Sequence, residues 1–361
     1  MEAQPIQVPD TSSPKGQHLP DGGTGDMGRF MRKVGLRLLI LAVIWIIFTQ
    51  LLPRRLYLGA EYARWEAVFA KVAEMQKDKK PVNVILGDSK PEMGLAGMTL
   101  RAWNLALGGT SPVEGFYILD LLREVPIDTV YLSYAPFHIQ SQDCFHNRTE
   151  YFGFVDPVYI DSVMALGHRQ GDTTYAWNNW VWLDDLQKNF TSPWVRRQLR
   201  HLPAMHGIDN YSWYFQGYAA MQTRLQQDQL SYLFPSDICP RDTSIQEYYL
   251  EQKAGGFFPN GVNAHYFSLL LKEIGRRKLT LVWINMPFNN AIRQPTQKYY
   301  ADFEAWLRPQ LPPQAPYYPM SYQDSCDFKD FSHLDAEAAH QFGLNFANWL
   351  RSSEEIGRAH V

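Results

Sequence analysis

Two stretches of this sequence hold residue types that could carry out covalent chemistry. Ser89 follows a glycine and an aspartate in NVILGDSKPEMGL (83–95), a segment that predicts a strand, a tight corner and a helix. Asp330 and His333 form an Asp-x-x-His pair just before the last predicted helix. A nucleophilic serine needs a histidine base within hydrogen-bond reach and a carboxylate that orients that base. The three residues therefore predict a Ser-His-Asp triad.

Both stretches also have a structural interpretation. Serine is a preferred N-cap, so Ser89 would cap the following helix whatever the protein does. DFSHLD (330–335) could likewise open a helix and carry a surface histidine. Chain order favours catalysis, because the Gly-Asp-Ser corner, a glycine pair (108–109) and the Asp-x-x-His pair follow the first, second and fifth predicted strands. We predict that Ser89 both caps the helix and acts as the nucleophile.

Backbone donors for an oxyanion are predicted beside Ser89. The first N–H groups of a helix have no intrahelical acceptor, and the helix dipole favours negative charge there. Gly109 has no side chain, so its N–H could approach the same point. Lys90 and His138 are candidate substrate contacts; the alternatives are a first-turn surface charge and a structural histidine.

A parallel α/β sheet covered by helices on both faces would position these residues. Short apolar runs bounded by turn residues predict five strands, at 82–87, 102–109, 128–136, 279–287 and 315–322. Helical patterns alternate with them near 90–100, 111–124, 262–277, 296–309 and 335–351. In such a sheet ligands bind outside the carboxyl ends of the strands, where the candidate residues lie.

Residues 137–260 break this alternation and are predicted to be a large insertion after the third strand. The insertion is dense in Trp and Tyr, for example in YAWNNWVWLDDL (175–186). These rings could stack on sugars or face a membrane partner. The alternative is that they form the core of the insertion itself.

The N-terminal part predicts a membrane anchor. Residues 1–28 are rich in Pro, Gly, Ser and Asp and should form a disordered cytoplasmic tail. The segment 29–55 contains the unbroken apolar run LLILAVIWIIF, preceded by basic residues and followed by no cleavage site, so we interpret it as a single-pass signal anchor. A buried core helix is the alternative. Residues 56–80 would form a helical stalk, and 81–355 a domain outside the cytoplasm, at an inner membrane and facing the periplasm or the exterior.

The last seven residues, EIGRAHV (355–361), match the translation of a widely used sequencing adaptor. We therefore leave them out of the fold prediction and expect the natural chain to continue differently from about this point.

Composition argues against several function classes. Of the 34 basic and 37 acidic side chains, residues 1–55 hold seven and four, so the remainder is acidic and unlike a nucleic-acid binder. The sequence has no phosphate-cradling glycine loop and no metal-ligand spacing, so neither a cofactor nor a metal is expected. Cys144, Cys239 and Cys326 could form one disulfide and leave one thiol, in a pairing that the sequence does not reveal.

The ordered blocks GDS (87–89), NLALGGTSP (104–112) and DFSHL (330–334) resemble those of the SGNH, or GDSL-type, hydrolase superfamily. The resemblance covers about residues 81–352 apart from the insertion. It implies a flavodoxin-like five-stranded parallel sheet, with Ser89 as nucleophile, His333 as base and Asp330 as the orienting acid. With the predicted anchor, the chain is most similar to a branch that modifies bacterial envelopes, which includes the alginate O-acetylation proteins and the D-alanyl-lipoteichoic acid biosynthesis protein. Such proteins often work beside a membrane-bound O-acyltransferase.

One block departs from the family pattern. The family supplies an asparagine donor after the third strand, where this sequence has SYAPFH (133–138) with a proline that lacks an N–H. The oxyanion hole would then rest on the backbone of Ser89 and Gly109, with Asn285 or His138 as a further donor.

Three functions fit these observations. The leading hypothesis is an anchored acyltransferase that passes an acyl group, most simply acetyl, to a polysaccharide hydroxyl. An anchored carboxylesterase or deacetylase would use the same residues. The third is a non-catalytic assembly subunit that keeps the fold as a scaffold.

Overall fold

The computed structural model describes residues 24–51, 59–95, 97–140, 145–150, 152–176, 256–328 and 332–359. The chain divides into two compact units, Met1–Leu52 and Pro53–Val361. The first unit contains one described helix, and the second contains the described strands and the other helices.

The described helices are α1 (Thr24–Leu51), α2 (Gly59–Asp78), α3 (Ser89–Gly94), α4 (Gly97–Leu100), α5 (Pro112–Leu121), α6 (Pro136–Gln140), α7 (Pro157–Gln170), α8 (Thr173–Ala176), α9 (Gly261–Arg276), α10 (Arg293–Leu307) and α11 (Ala336–Ala359). A π-helix covers Phe145–Glu150, and 3₁₀ turns cover Asn290–Ile292, Arg308–Gln310 and Ser325–Asp327. The strands are β1 (Val82–Gly87), β2 (Ala102–Asn104), β3 (Ile127–Ser133), β4 (Thr280–Ile284), β5 (Phe288–Asn289), β6 (Tyr317–Tyr318) and β7 (Tyr322–Gln323).

Five of these strands form one parallel sheet in the order β2-β1-β3-β4-β6. The order reverses between β1 and β3, where Gly87 pairs with Ser133 at the carboxyl ends of both strands. The predicted α/β fold with a five-stranded parallel sheet flanked by helices is confirmed. Strand β1 has the predicted bounds, whereas β2 and β6 are shorter than predicted.

Alternate residues of the central strands enter two separate hydrophobic cores. On β1, Val84 and Leu86 belong to the larger core and Ile85 to the smaller one. This period of two is the geometry of a strand. Helices α2, α5, α9 and α10 contribute to the larger core, and α11 to the smaller one. Burial of both faces explains why the strands are nearly continuous apolar runs.

Helix α2 packs on the larger core. Its side chains Trp65, Val68, Val72 and Met75 are buried and recur every three or four residues, so they form one stripe of the helix. The structure therefore contains the predicted helix within 56–80 but corrects its interpretation as a stalk, because the stripe is covered by the α/β domain.

In the first unit, α1 begins at Thr24, so the helix includes the last residues of the predicted disordered tail. Nine large apolar side chains between Phe30 and Ile44 are 46–61% exposed. A search of the described helices finds none that is long and apolar enough to cross a bilayer. The anchor over 29–55 thus stays a prediction.

The first part of the predicted insertion shares the core of the sheet. Ile160 and Val163 on α7 and Tyr175 on α8 are buried in the larger core. The Trp-rich stretches that follow, within residues 177–255, lie outside the described residues. The predicted roles of their aromatic rings therefore stay predictions.

Candidate active site

Ser89 and His333 meet at the carboxyl edge of the sheet. Nε2 of His333 lies 2.8 Å from Oγ of Ser89, although 244 positions separate the two residues. Ser89 is the first residue of α3, directly after β1, and His333 lies in the loop before α11. An imidazole nitrogen at this distance is within reach of the serine proton. The structure thus brings together two of the three predicted triad residues.

Gly87 permits the sharp corner that precedes the serine. Its φ is +156°, and a Cβ at this position would lie 2.0 Å from the carbonyl oxygen of Ser133 on β3. A side chain would therefore force β1 away from β3. Glycine lets the two strands stay paired up to the point where the chain turns into α3.

Asp88, rather than Ser89, caps α3. Oδ1 of Asp88 accepts the N–H of Lys90 at 2.9 Å, and Oδ2 accepts the N–H of Ala135 at 2.5 Å. The fully buried carboxylate joins the start of α3 to the segment after β3. The prediction that Ser89 is the cap is wrong, because Ser89 occupies the first helical position and its hydroxyl contacts His333 instead.

Contacts between the two ends of the loop that carries His333 hold these ends together. Phe328 and Leu334 form an antiparallel bridge and are both buried. The N–H of Asp335 donates to the carbonyl of Asp327 at 2.8 Å. These contacts hold the loop against the smaller core and so restrict the position of the histidine ring.

The other ring nitrogen of His333 faces a neighbour that sequence reasoning missed. Oγ of Ser332 lies 3.1 Å from Nδ1. With the proton on Nδ1, the ring donates to Ser332, and Nε2 accepts from the hydroxyl of Ser89. Asp330, the predicted orienting acid, lies outside the described residues.

Cys326 is disulfide-bonded. It lies in the 3₁₀ turn Ser325–Asp327, shortly before the loop of His333, and Oγ of Ser325 donates to Oδ1 of Asn289 at 2.8 Å. Cys144 and Cys239 lie outside the described residues. A covalent crosslink therefore ends close to the loop that carries His333.

The loop after β2 passes beside Ser89. A Cβ on Gly108 would lie 3.5 Å from Cβ of Ser89, so the backbone there is close to the serine. Gly109 has a φ of +69°, in the left-handed region that favours glycine. Both glycines line the same cavity as Ser89, which is where the N–H of Gly109 was predicted to act.

A cavity of about 300 Å³ lies beside the Ser89–His333 pair. Its lining residues are Arg64, Ser89, Lys90, Met93, Gly108, Gly109, Ala135, Pro136, Phe137, His138, Arg148, Phe288, Asn289, Ile292, Tyr299, Tyr300, Ser332 and His333. This volume suits a small acyl group and one ring of a larger molecule.

The structure corrects the prediction for Asn285. Nδ2 of Asn285 donates to the carbonyl of Tyr318 at 3.1 Å, and Oδ1 accepts from Nε1 of Trp283 at 2.9 Å. Asn285 does not line the cavity, so its amide serves strands β4 and β6 rather than an oxyanion. Lys90 and His138, the predicted substrate contacts, do line the cavity.

Asn289 is the asparagine that reaches the cavity, and sequence reasoning missed it. It lies on β5, which pairs with β7 in a small second sheet of two-residue strands that are too short to leave a pattern. Its side chain is 1% exposed, and Oδ1 accepts from the N–H of Ala291 and from Ser325. Nδ2 has no acceptor among the described residues.

A buried carboxyl group fixes the start of α5, just after the glycine loop. Glu114 accepts from the N–H and the hydroxyl of Ser111, at 2.8 and 2.9 Å, and from the hydroxyl of Thr149. Ser111 and Glu114 form a capping box. Burial raises the pKa of Glu114 above its ordinary value, although these hydrogen bonds act in the opposite direction.

This raised pKa predicts a pH dependence of stability. Above the ordinary carboxyl pKa of 4.5 the unfolded chain has released its proton while native Glu114 still holds one. The free energy of unfolding should therefore fall as pH rises from there through the native pKa. Glu114→Gln should flatten this fall, whereas Glu124→Gln on the exposed surface should not. Urea unfolding across this pH range measures the slope, and equal slopes in wild type and Glu114→Gln would contradict the prediction.

Among the described residues, no group of three or more His, Cys, Asp and Glu side chains could hold a metal ion. Comparison of the chain with protein-family models and with curated proteins finds no match.

Proposed function

We propose that this chain is an SGNH-type serine acyltransferase or esterase that modifies an envelope or secreted polysaccharide. The observation that carries the proposal is the 2.8 Å contact between Nε2 of His333 and Oγ of Ser89 inside a cavity at the carboxyl edge of a parallel sheet. A structural role for Ser89 at the start of α3 would not explain its contact with a histidine that is 244 positions away in the chain.

In the proposed reaction, His333 takes the proton of Ser89 while Oγ attacks the carbonyl carbon of an acyl donor. The tetrahedral intermediate then collapses, the donor alkoxide leaves with the proton from His333, and the acyl group remains on Ser89. A hydroxyl of the acceptor then attacks the acyl-serine ester while His333 takes its proton. The acyl group passes to the acceptor oxygen, and Oγ of Ser89 leaves with the proton from His333. Asp330 is proposed to orient His333 on the family resemblance, and the contact with Ser332 supports the same tautomer.

The backbone N–H groups of Ser89 and Gly109 are the proposed oxyanion donors. Both residues line the cavity, and the positive φ of Gly109 explains why glycine is suited to this position. Pro136 also lines the cavity but can donate nothing. A hole with few donors fits a dedicated transferase or a weak esterase better than a fast hydrolase.

The strand order supports the proposed flavodoxin-like SGNH fold. In chain order the five strands of the sheet are arranged 2-1-3-4-5, and the Ser89–His333 pair lies at the β1/β3 reversal.

A location at a membrane, outside the cytoplasm, is also proposed. The apolar run of α1, with its exposed side chains, supports an anchor, and the disulfide at Cys326 supports an oxidising compartment. A membrane-bound O-acyltransferase as donor partner and a polysaccharide as acceptor remain proposals that rest on the resemblance.

Covalent labelling of the full chain with a fluorophosphonate tests the nucleophile. We expect one adduct by intact mass, on the peptide that contains Ser89, and no adduct after heat denaturation. A folded protein that stays unlabelled would overturn the proposal and favour the scaffold alternative. Transfer is then separated from hydrolysis by incubating the labelling-competent protein with an acyl ester and an oligosaccharide. Release of free acid alone would favour the esterase alternative.

A further inference from the structure

A buried carboxyl group that the proposed reaction does not use lies next to the glycine loop, which we define as residues 107–110. The two oxygens of Glu114, on α5, face different elements. Oε2 accepts from the N–H and the hydroxyl of Ser111, at 2.8 and 2.9 Å, and Oε1 accepts from the hydroxyl of Thr149 on the π-helix. All three residues are at most 1% exposed. One carboxyl group therefore joins the residue that follows the glycine loop to the π-helix.

Hydrogen bonds hold the glycine loop from both sides. On one side, the N–H of Leu107 and the hydroxyl of Thr110 donate to the carbonyl of Gly87 at the end of β1, at 3.0 and 3.2 Å. On the other side, Nη1 of Arg148 on the π-helix donates to the carbonyl of Gly108 at 3.3 Å. The two glycines of the loop have no side chains with which to fix their own backbone, so its position depends on these neighbours.

The hydrogen bonds continue from Ser111 to two further helices. Oγ of Ser111 lies 3.1 Å from the hydroxyl of Tyr175 on α8, and this hydroxyl donates to Oδ1 of Asn263 on α9. Nδ2 of Asn263 donates to the carbonyls of His138 and Ile139 on α6, at 3.3 and 3.2 Å. The π-helix and α8 belong to the predicted insertion. The described part of that insertion is therefore bonded to the glycine loop and to α6.

Helix capping alone does not explain why Glu114 is buried. A glutamate at this position of a capping box needs only to reach back to the N–H of Ser111, which an exposed side chain can do. Burial of a carboxyl group is costly and raises the pKa of Glu114. Only a buried carboxyl group can also accept from Thr149, which is itself fully buried. The contact with the π-helix thus accounts for the burial.

We propose that Glu114 is a positioning residue, whose carboxyl group couples the glycine loop to the π-helix and so fixes the backbone of Gly108 and Gly109 beside Ser89. The coupling is independent of the proposed function, whereas its effect on acyl transfer rests on that function. Loss of the coupling should slow the chemical step and leave binding unchanged, because backbone donors act on charge that develops only as the bond forms.

Hydrogen exchange of the full chain tests the coupling without any chemistry. Thr149→Val keeps the shape of the side chain but removes the donor to Glu114. We expect the amides of residues 105–111 to exchange about five- to thirtyfold faster than in wild type, as for the loss of one buried hydrogen bond. The amides of β3 report global unfolding and should change less. Thr149→Ser keeps the hydroxyl and should restore the wild-type exchange.

Thr296→Val is the matched control. Thr296 is also fully buried, but its hydroxyl donates to the carbonyl of Ile292 at the start of α10. This variant should leave exchange in residues 105–111 unchanged. If Thr149→Val does not fold, Thr149→Ala takes its place, because the smaller side chain lets water reach the carboxyl group.

Fluorophosphonate labelling tests the effect on the reaction. Thr149→Val should lower the maximal labelling rate constant by about ten- to a hundredfold and leave the half-saturating probe concentration unchanged. Thr149→Ser should label at the wild-type rate. The rates are measured at a temperature where each variant stays folded, so a loss of stability alone would not change them.

Unchanged exchange of residues 105–111 in Thr149→Val, or an equal increase in β3, would overturn the coupling. Faster exchange of the loop with a wild-type labelling rate would overturn the positioning role. Faster exchange of the loop in a protein whose wild type is not labelled would remove the proposed nucleophile and leave the coupling in place.

Discussion

Ser89→Ala should abolish fluorophosphonate labelling, His333→Ala should slow it by about 10⁴–10⁶-fold, and each change should slow acyl transfer by a similar factor. Ser89→Ala removes the atom that becomes acylated. His333→Ala leaves the serine hydroxyl in place but removes the nitrogen 2.8 Å from it, so the proton has no acceptor when the bond forms. The two losses should not add in the double variant, because either replacement alone disables the pair.

Single-turnover labelling rates measure this prediction. Ser162→Ala and His340→Ala are matched controls, since both residues are exposed, and we expect them to label at the wild-type rate. Ser332→Ala should give a smaller loss than His333→Ala, because the change leaves in place the ring nitrogen that faces Ser89. If His333→Ala labelled as fast as wild type, His333 would not be the base.

Asp88→Ala should lower the free energy of unfolding by about 2–4 kcal/mol and also reduce labelling of Ser89. The change leaves two partly buried N–H groups, those of Lys90 and Ala135, without their acceptor. It also removes the link between α3 and the segment after β3, so the serine should lose its fixed position. Asp88→Asn should restore little, because its amide offers one acceptor oxygen where two are used.

Urea unfolding gives the change in stability, and labelling at a temperature where each variant stays folded gives the change in rate. Asp128→Ala, at an exposed position on β3, is the matched control and should affect neither quantity. A stable Asp88→Ala variant that labels normally would show that the cap does not position the nucleophile.

The strongest sequence predictions came from residues whose chemistry is local. Strand β1 was predicted with its observed bounds, because its apolar run ends at Gly87 and a glycine at that position indicates a tight corner. Which of Asp88 and Ser89 caps α3 depends on a residue that is distant in the sequence. Both residue types cap helices well, and the choice is made by Ala135, whose N–H comes from a different strand.

Other parts of the site depended on packing that a linear pattern does not contain. The apolar stripe of α2 was visible in the sequence, but nothing there showed that the sheet covers it and that Arg64 thereby reaches the cavity. Asn285 and Asn289 are four positions apart after the same strand. Only the partners of Asn285 on β4 and β6 reveal that it is already engaged.

The 244 positions between Ser89 and His333 also determine the delay between the synthesis of these two residues on the ribosome. Ribosomes add about 5–20 residues per second, so the histidine is made roughly 12–50 s after the serine. On the proposed mechanism, the emerging polypeptide carries an ordinary, unreactive serine hydroxyl throughout that interval. Its reactivity would begin only when the last segment docks, which would keep the nascent chain from modifying itself or its surroundings before translation is nearly complete.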